Sequence, residues 1–236
     1  MKTLVVLTQY KRAHLENQLK SIYSQTLIPD YIVVFQNENH VDISHLKAKY
    51  NFIHIKSDYN TKYFGRFAIC FSFLVDYCIV MDDDIIPGSN CLKNSIDESI
   101  RLNAIMGGNG RFGLLNEKYS LLMLNHPPDT GIRHTTTLVD FVGHMWCFKK
   151  QWLHYMFAIE PFTYDTGEDM HLCFTSKILG GINSYTCKQT CFEDMSDTTN
   201  NKLAVDKHSS FLFTSESLRS NVEKYFIEKY NLQLIT

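Results

Sequence analysis

Two groups of carboxylates carry the clearest chemical signal in the chain. Asp82-Asp83-Asp84 stand directly after the apolar run Tyr77-Cys78-Ile79-Val80-Met81, and Glu168-Asp169 follow Gly167 at the head of a segment with helical periodicity. A run such as Ile79-Val80-Met81 is worth forming only when buried, whereas ionised carboxylates are costly to bury unless paired or bound to metal. The junction therefore marks the C-terminal end of a strand. In open α/β sheets that end faces the ligand crevice, and hard oxygen donors there suit Mg²⁺ or Mn²⁺ held together with substrate phosphates. Three successive negative charges also repel, and a bound cation relieves that repulsion. The alternative is a solvated turn leading into Pro87-Gly88, but a turn needs polarity rather than three carboxylates against a buried strand.

Glu168 and Asp169 allow two readings. Acids in a first helical turn are favoured by the helix dipole alone, with Thr166 or Asp165 as the cap. The other reading has one of them pointing out of the helix end as a general base, within hydrogen-bond reach of a nucleophilic hydroxyl. Arg66 opens the apolar segment 65–74 and either reaches a phosphate or ends the segment in solvent. The stretch Phe141 to Phe148, containing His144 and Trp146, is expected to form an acceptor-facing wall, with Trp146 nearest a sugar ring if it is not simply packed. His208, in Asp206-Lys207-His208, either completes a metal shell or lies on the surface.

These groups need elements to hold them. Leu4 to Leu7 reads as a buried first strand, and Leu15, Leu19, Ile22 and Tyr23 recur at helical spacing before Pro29. Strands at 31–35 and 52–55 flank a short helix around 43–50, and 65–74 reads as a helix packed under the sheet and leading into the strand 77–81. A helix with Leu92, Ile96 and Ile100 on one face follows the carboxylates. The glycines of Met106-Gly107-Gly108-Asn109-Gly110 mark a tight turn or a close approach to the backbone, because no strand-to-helix dinucleotide fingerprint surrounds them. Residues 119–124 and 137–142 are further strand candidates, 149–157 a helix, 182–185 a short last strand, and Leu218, Val222 and Phe226 belong to a closing helix. The polar stretch 193–202 is expected to be a mobile loop that closes over a bound donor. The fold class is α/β: a Rossmann-like, mostly parallel or mixed central sheet flanked by helices. One domain is expected over 1–236, with residues 1–105 as a nucleotide-binding half and 106–236 as an acceptor-binding half.

Composition narrows the classes of partner. Lys and Arg number 23 against 25 Asp and Glu, a formal charge of -2, so no basic excess calls for nucleic acid. The seven cysteines are irregularly spaced and mostly in apolar segments, which argues against a disulfide framework and for a reducing, cytoplasmic compartment. No apolar run is long enough for a membrane span, and the start turns polar at Gln9.

Taken together, Asp82-Asp83-Asp84 after a hydrophobic strand and Gly167-Glu168-Asp169 before a helix resemble the Asp-x-Asp and Glu-Asp elements of GT-A-type glycosyltransferases, close to family-2-like enzymes. The opening Val5-Val6-Leu7-Thr8-Gln9-Tyr10-Lys11-Arg12 resembles their nucleotide-binding start, and the likeness covers roughly residues 3 to 185. The resemblance implies transfer of a sugar from a nucleotide-diphosphate donor, UDP-linked or GDP-linked with UDP favoured, to the hydroxyl of a glycan or glycoconjugate, with Mn²⁺ or Mg²⁺. It implies Asp82 and Asp83 on the nucleotide side, Asp84 with Asp82 at the metal, and His208 as a further metal ligand. Asp169, or failing it Glu168, would be the base, and Thr8, Tyr10, Asn37, Glu38 and Arg66 would line the donor pocket. The Gln-x-x-Arg-x-Trp element of processive synthases is absent from the tail. Gly65-Arg66 with the aspartate triplet also resembles, more faintly, the retaining exostosin-like transferases, so inverting and retaining outcomes both stand, the first favoured. A metal-dependent nucleotidyltransferase and a non-catalytic carbohydrate-binding module are the rival readings, and a homo-oligomer is compatible with all of them. The nucleotidyltransferase would need a glycine-rich, basic loop after Leu7, where this chain has Lys11 and Arg12 but no glycine.

Overall fold

Leu4, Val5, Val6 and Leu7 are all fully buried, which requires cover on both faces of the strand they form. The computed structural model describes residues 1–38, 41–113, 122–123, 132–204, 206–207 and 216–235. In chain order the elements are β1 (Thr3–Gln9), α1 (Leu15–Tyr23), β2 (Tyr31–Asn37), α2 (Ser44–Lys47), β3 (Ile53–Ser57), α3 (Gly65–Ala68), β4 (Tyr77–Met81) and α4 (Cys91–Leu102). They continue as β5 (Ile105–Phe112), β6 (Leu122–Met123), β7 (Thr137–Val139), β8 (Phe141–Lys149), α5 (Leu153–Ala158), α6 (Glu168–Gly180), β9 (Ser184–Thr186) and α7 (Glu216–Tyr230).

The strands form one sheet in the order β3-β2-β1-β4-β8-β5-β9-β7, with β6 paired to β5. β3, β2, β1 and β4 run parallel, as strand-helix-strand crossovers dictate. β8 then enters antiparallel between β4 and β5, which makes the sheet mixed. The chain builds outward from β1 to β3 and returns to place β4 on the other side of β1, so the order reverses between β1 and β4. In open sheets the ligand crevice lies outside the carboxyl ends of the strands at such a reversal. The side chains of Val5, Leu7, Val34, Ile79 and Met81 pack with α1, α2 and α4 on one face. Those of Leu4, Val6, Val33, Val80, Trp146 and Phe148 pack with α3, α5, α6 and α7 on the other.

Three expectations change. The glycine segment is a central strand, β5, rather than a turn, and a Cβ at Gly107 would lie 2.1 Å from Cβ of Val142. Close approach is thus the reason for glycine, and it comes from the neighbouring strand. Segment 65–74 is not one buried helix but α3 followed by a 3-10 turn at Ile69–Ser72, with Phe71 and Leu74 exposed. The polar stretch 193–202 is not a detached loop. Gly88 N donates to Met195 O (2.7 Å), Asn90 N to Glu193 O (2.7 Å) and Thr198 N to Ile86 O (2.7 Å), so its first half is pinned along the chain that leaves the aspartate triplet. Of the strand candidate 119–124, only Leu122–Met123 falls among the described residues.

Candidate active site

Asp82, Asp83 and Asp84 leave β4 at the carboxyl edge, beside the reversal point. Their backbone is held by Gln18 on α1, whose Nε2 donates to the carbonyls of Asp82 (2.7 Å) and Ile85 (2.9 Å). Asp82 N donates to His144 O (3.0 Å), extending the β4–β8 ladder by one bond. Each carboxylate then meets an arginine. Arg12, just beyond β1, bonds Asp83 at 2.5 Å and Asp84 at 2.9 Å with one nitrogen, and its other edge forks onto Asp206 with two bonds of 2.8 Å. Asp206 thereby ties the C-terminal part of the chain to the triplet.

Arg66 joins the two acidic groups. Its guanidinium donates to Asp82 and, at 2.7 Å, to Glu168 Oε1, and it lies 4.5 Å over the ring of Trp146. Glu168 and Asp169 are both buried at the first turn of α6. The chain reaches them through Gly167 at φ +79°, a left-handed conformation that a Cβ would strain. Asp169 Oδ2 accepts from Arg219 Nη2 of α7 at 2.6 Å, and Oδ1 accepts from the Met170 N–H at 2.8 Å.

Burial and crowding of like charge set the protonation pattern. Burial, then the charges of Asp82 and Asp83, push the Asp84 carboxyl up to about 7. Burial also raises Asp83, against the pull of Arg12. Glu168 is raised to about 7 by burial and by the charge of Asp169. Burial works the same way on Asp169, but the Arg219 guanidinium outweighs it and leaves that carboxyl below its ordinary value.

Other sequence-predicted residues fall into place unevenly. Thr8 is at the end of β1, and its Oγ1 is buried with no hydrogen-bond partner among the described residues. The Tyr10 hydroxyl accepts from Asn60 at 3.2 Å. Asn37 spends its amide on the 60–62 loop, donating to Asn60 Oδ1 at 2.9 Å and accepting from Thr61 N at 2.9 Å. Glu38 follows in the left-handed region at φ +70°. His144, also left-handed at φ +67°, has its ring beside the Asn109 amide at 3.0 Å, and burial lowers its pKa. Trp146 takes the packed alternative and not the place beside a sugar: it is 1% exposed, its indole N–H donates to Val142 O at 2.8 Å, and Phe67 and Arg66 lie against its ring. Among the described residues its ring is enclosed, because β8 is a central strand and Phe67 of α3 packs against both Trp146 and Phe148. His208 lies outside the described residues.

Four residues of this network were not singled out from sequence: Gln18, Arg12, Asp206 and Arg219. A signal existed for Gln18, a polar residue on the apolar stripe of Leu15, Leu19 and Ile22. For Arg219 and Asp206 none existed, since nothing local marks which distant cation or acid will meet the site.

Hard oxygen donors from Asp82 and Asp84 match a divalent ion bound by one or two carboxylates plus substrate phosphates. The upward shift of Asp84 comes first from burial and then from the charges of Asp82 and Asp83, and a bound cation would offset both. Among the described residues no three His, Cys, Asp or Glu side chains converge as a self-sufficient cage. The residues therefore fit an ion brought with a phosphate-bearing ligand.

No known family model and no curated protein sequence matches the chain. Solved structures do. S. aureus TarS matches at 12% identity and a TM-score of 0.54, over 80% of this chain and 37% of that one. TarS 1-349 in complex with UDP-GlcNAc matches at 13% identity and a TM-score of 0.57, over 81% of this chain and 57% of that one. TarS 1-349 in complex with UDP matches at 12% identity and a TM-score of 0.58, over 81% and 59%. The fold is that of GT-A-type glycosyltransferases, and the chain spans between 37% and 59% of the length of these similar chains.

Proposed function

We propose that the protein is a nucleotide-sugar-dependent glycosyltransferase, acting with Mn²⁺ or Mg²⁺ on a UDP-linked donor, or a GDP-linked one, and on a hydroxyl acceptor. The observation that carries the reading is Arg66: one buried guanidinium joins Asp82 at the strand end to Glu168 at the head of α6. That contact supports reading the two acidic groups as the donor-side and acceptor-side parts of one site. The TarS complexes support the donor class, since UDP and UDP-GlcNAc are bound by a chain of the same fold.

In this reading Thr8, Tyr10, Asn37 and Glu38 rim the nucleotide pocket, and Asp82 and Asp83 lie on its ribose side. Asp84 and Asp82, with His208 as the further ligand the family resemblance implies, would hold a divalent ion, which would supply charge neutralisation on the diphosphate leaving group. Asp169 takes the proton from the acceptor hydroxyl, and the acceptor oxygen forms its bond to the anomeric carbon. As it forms, the bond from that carbon to the phosphate oxygen breaks on the opposite face, its electron pair leaving with the nucleoside diphosphate, which gives inversion. Glu168 is the alternative base. His144, whose carbonyl accepts from Asp82 N, stands on the acceptor side.

The test is calorimetry across UDP- and GDP-sugars with and without Mn²⁺ or Mg²⁺, followed by chromatography of released nucleotide with an acceptor panel. Metal-dependent binding of at least one donor is expected, weakened roughly tenfold or more in Asp84→Asn, the scale on which loss of a ligand carboxylate acts. Absence of metal-dependent binding across the panel overturns the reading. Nuclear magnetic resonance of the product's anomeric configuration separates inversion from retention.

A further inference from the structure

Glu168 and Asp169 are adjacent, both buried, and each is met by an arginine from a different element. Two neighbouring buried carboxyls cannot ionise independently, because each charge raises the cost of the other. Something has to decide which of them carries the charge and how it is aimed. Arg66 is already shared between Asp82 and Glu168. Arg219 spans the turn before α6: Nη1 donates to Thr166 Oγ1 at 3.2 Å and Nη2 to Asp169 Oδ2 at 2.6 Å. With Oδ1 on the Met170 N–H, both oxygens of Asp169 have fixed partners and its carboxylate plane is set. α7 is itself held against this turn, since Val222 and Phe226 are buried in the core and a Cβ on Gly167 would meet Val222 at 3.1 Å.

We propose that Arg219 is the positioning residue for the acceptor-activating base: from α7 it fixes the orientation of Asp169 and directs the negative charge of the Glu168/Asp169 pair onto it. The proposal rests on the reading of Asp169 as base. It explains why a helix distant in sequence docks at the head of α6. The shifts of the pair agree, with Glu168 pushed up to about 7 and Asp169 held below its ordinary value. Other charged or titratable groups acting on Asp169 include Arg111 on β5, His144 on β8 and Cys173 on α6.

The experiment uses the full chain with a donor and acceptor for which the wild type shows turnover. It measures kcat and KM between pH 3 and 9, a window that includes the acid limb of a carboxyl held below its ordinary value, for the wild type, Arg219→Gln, Arg219→Lys and Asp169→Asn, with donor affinity by calorimetry. Arg219→Gln should lower kcat by about 10–100-fold, no more than the low end of what general-base catalysis contributes because the base itself is kept, and move the acid limb of the kcat profile upward by about one pH unit. Donor affinity should stay within about twofold, and Arg219→Lys should recover most of the rate. A carbon-13 carboxyl titration of Asp169, assigned through Asp169→Asn, should show the same upward shift. Arg219→Met, which also removes the charge, serves for that titration if the glutamine variant does not fold. An unmoved acid limb and an unmoved Asp169 titration overturn the proposal, as does a rate loss matched by equal loss of donor binding. Full activity in Asp169→Asn instead overturns the reading of the base, and no turnover in the wild type overturns the proposed function.

Discussion

Arg66 is enclosed by Asp82, Glu168 and the ring of Trp146, and at 5% exposure it has little water to fall back on. A guanidinium suits this position because its planar fork serves two carboxylates at once while its face lies on the indole. Replacing it leaves the carboxylates without a counter-charge, so Arg66→Met should destabilise the fold by about 3–5 kcal/mol at pH 8, as measured by urea denaturation. The loss should be smaller at pH 5.5, where Glu168, raised to about 7, takes up a proton and removes one of the stranded charges. Equal losses at the two pH values would show that Glu168 is not the carboxyl Arg66 neutralises. The sequence singles out Arg66 and both of its acids but not their meeting, since 102 positions separate Arg66 from Glu168.

At the scale of elements, the site is made by three chain ends brought to one edge: the ends of β1 and β4 and the start of α6. Gly167 governs the last of these. Its φ of +79° turns the chain into α6, and Val222 leaves little space for a side chain there. Gly167→Ala should cost on the order of 1–2 kcal/mol in stability, because a left-handed alanine is strained. It should also lower turnover more than donor affinity, because Glu168 and Asp169 begin the helix that Gly167 caps. Comparable loss of donor binding would place the effect elsewhere. The parallel strands β1, β2 and β4 were legible because their apolar runs are continuous, and β3 because Ile53 and Ile55 alternate with polar residues after a short helix. β5 was not, because glycines that read as a turn are demanded by Val142 and by the side chains opposite Gly110.

For the whole molecule, the raised carboxyls set the dependence of stability on pH. Asp84, Glu168 and Glu223 are each pushed up to about 7, in every case first by burial. Each contributes stability that is full below its unfolded pKa, near 4, and is lost as pH rises through about 7. Asp169 and Asp194 are lowered and act in the opposite sense, losing their contributions only as pH falls through the acid range. The urea midpoint should therefore be lower at pH 8 than at pH 5.5. Glu223, buried on α7 and facing the charge of Asp140, has an Oε1 with no hydrogen-bond partner among the described residues. Glu223→Gln should narrow the pH difference by on the order of 1–3 kcal/mol, and an unchanged difference would place the titration elsewhere. The sequence by itself determined the α/β class, the strand end that carries Asp82 to Asp84 and the helix start that carries Glu168 and Asp169. Those follow from local rules, since apolar runs must be buried and carboxylates must stand where a cation, a helix end or water can reach them. Only the tertiary structure decided that Arg12, Arg66 and Arg219 each meet these acids, that Asp206 returns to Arg12, and that Trp146 is covered. Those pairings depend on which distant segments a closed sheet order brings to the same edge, and no spacing along the chain encodes that.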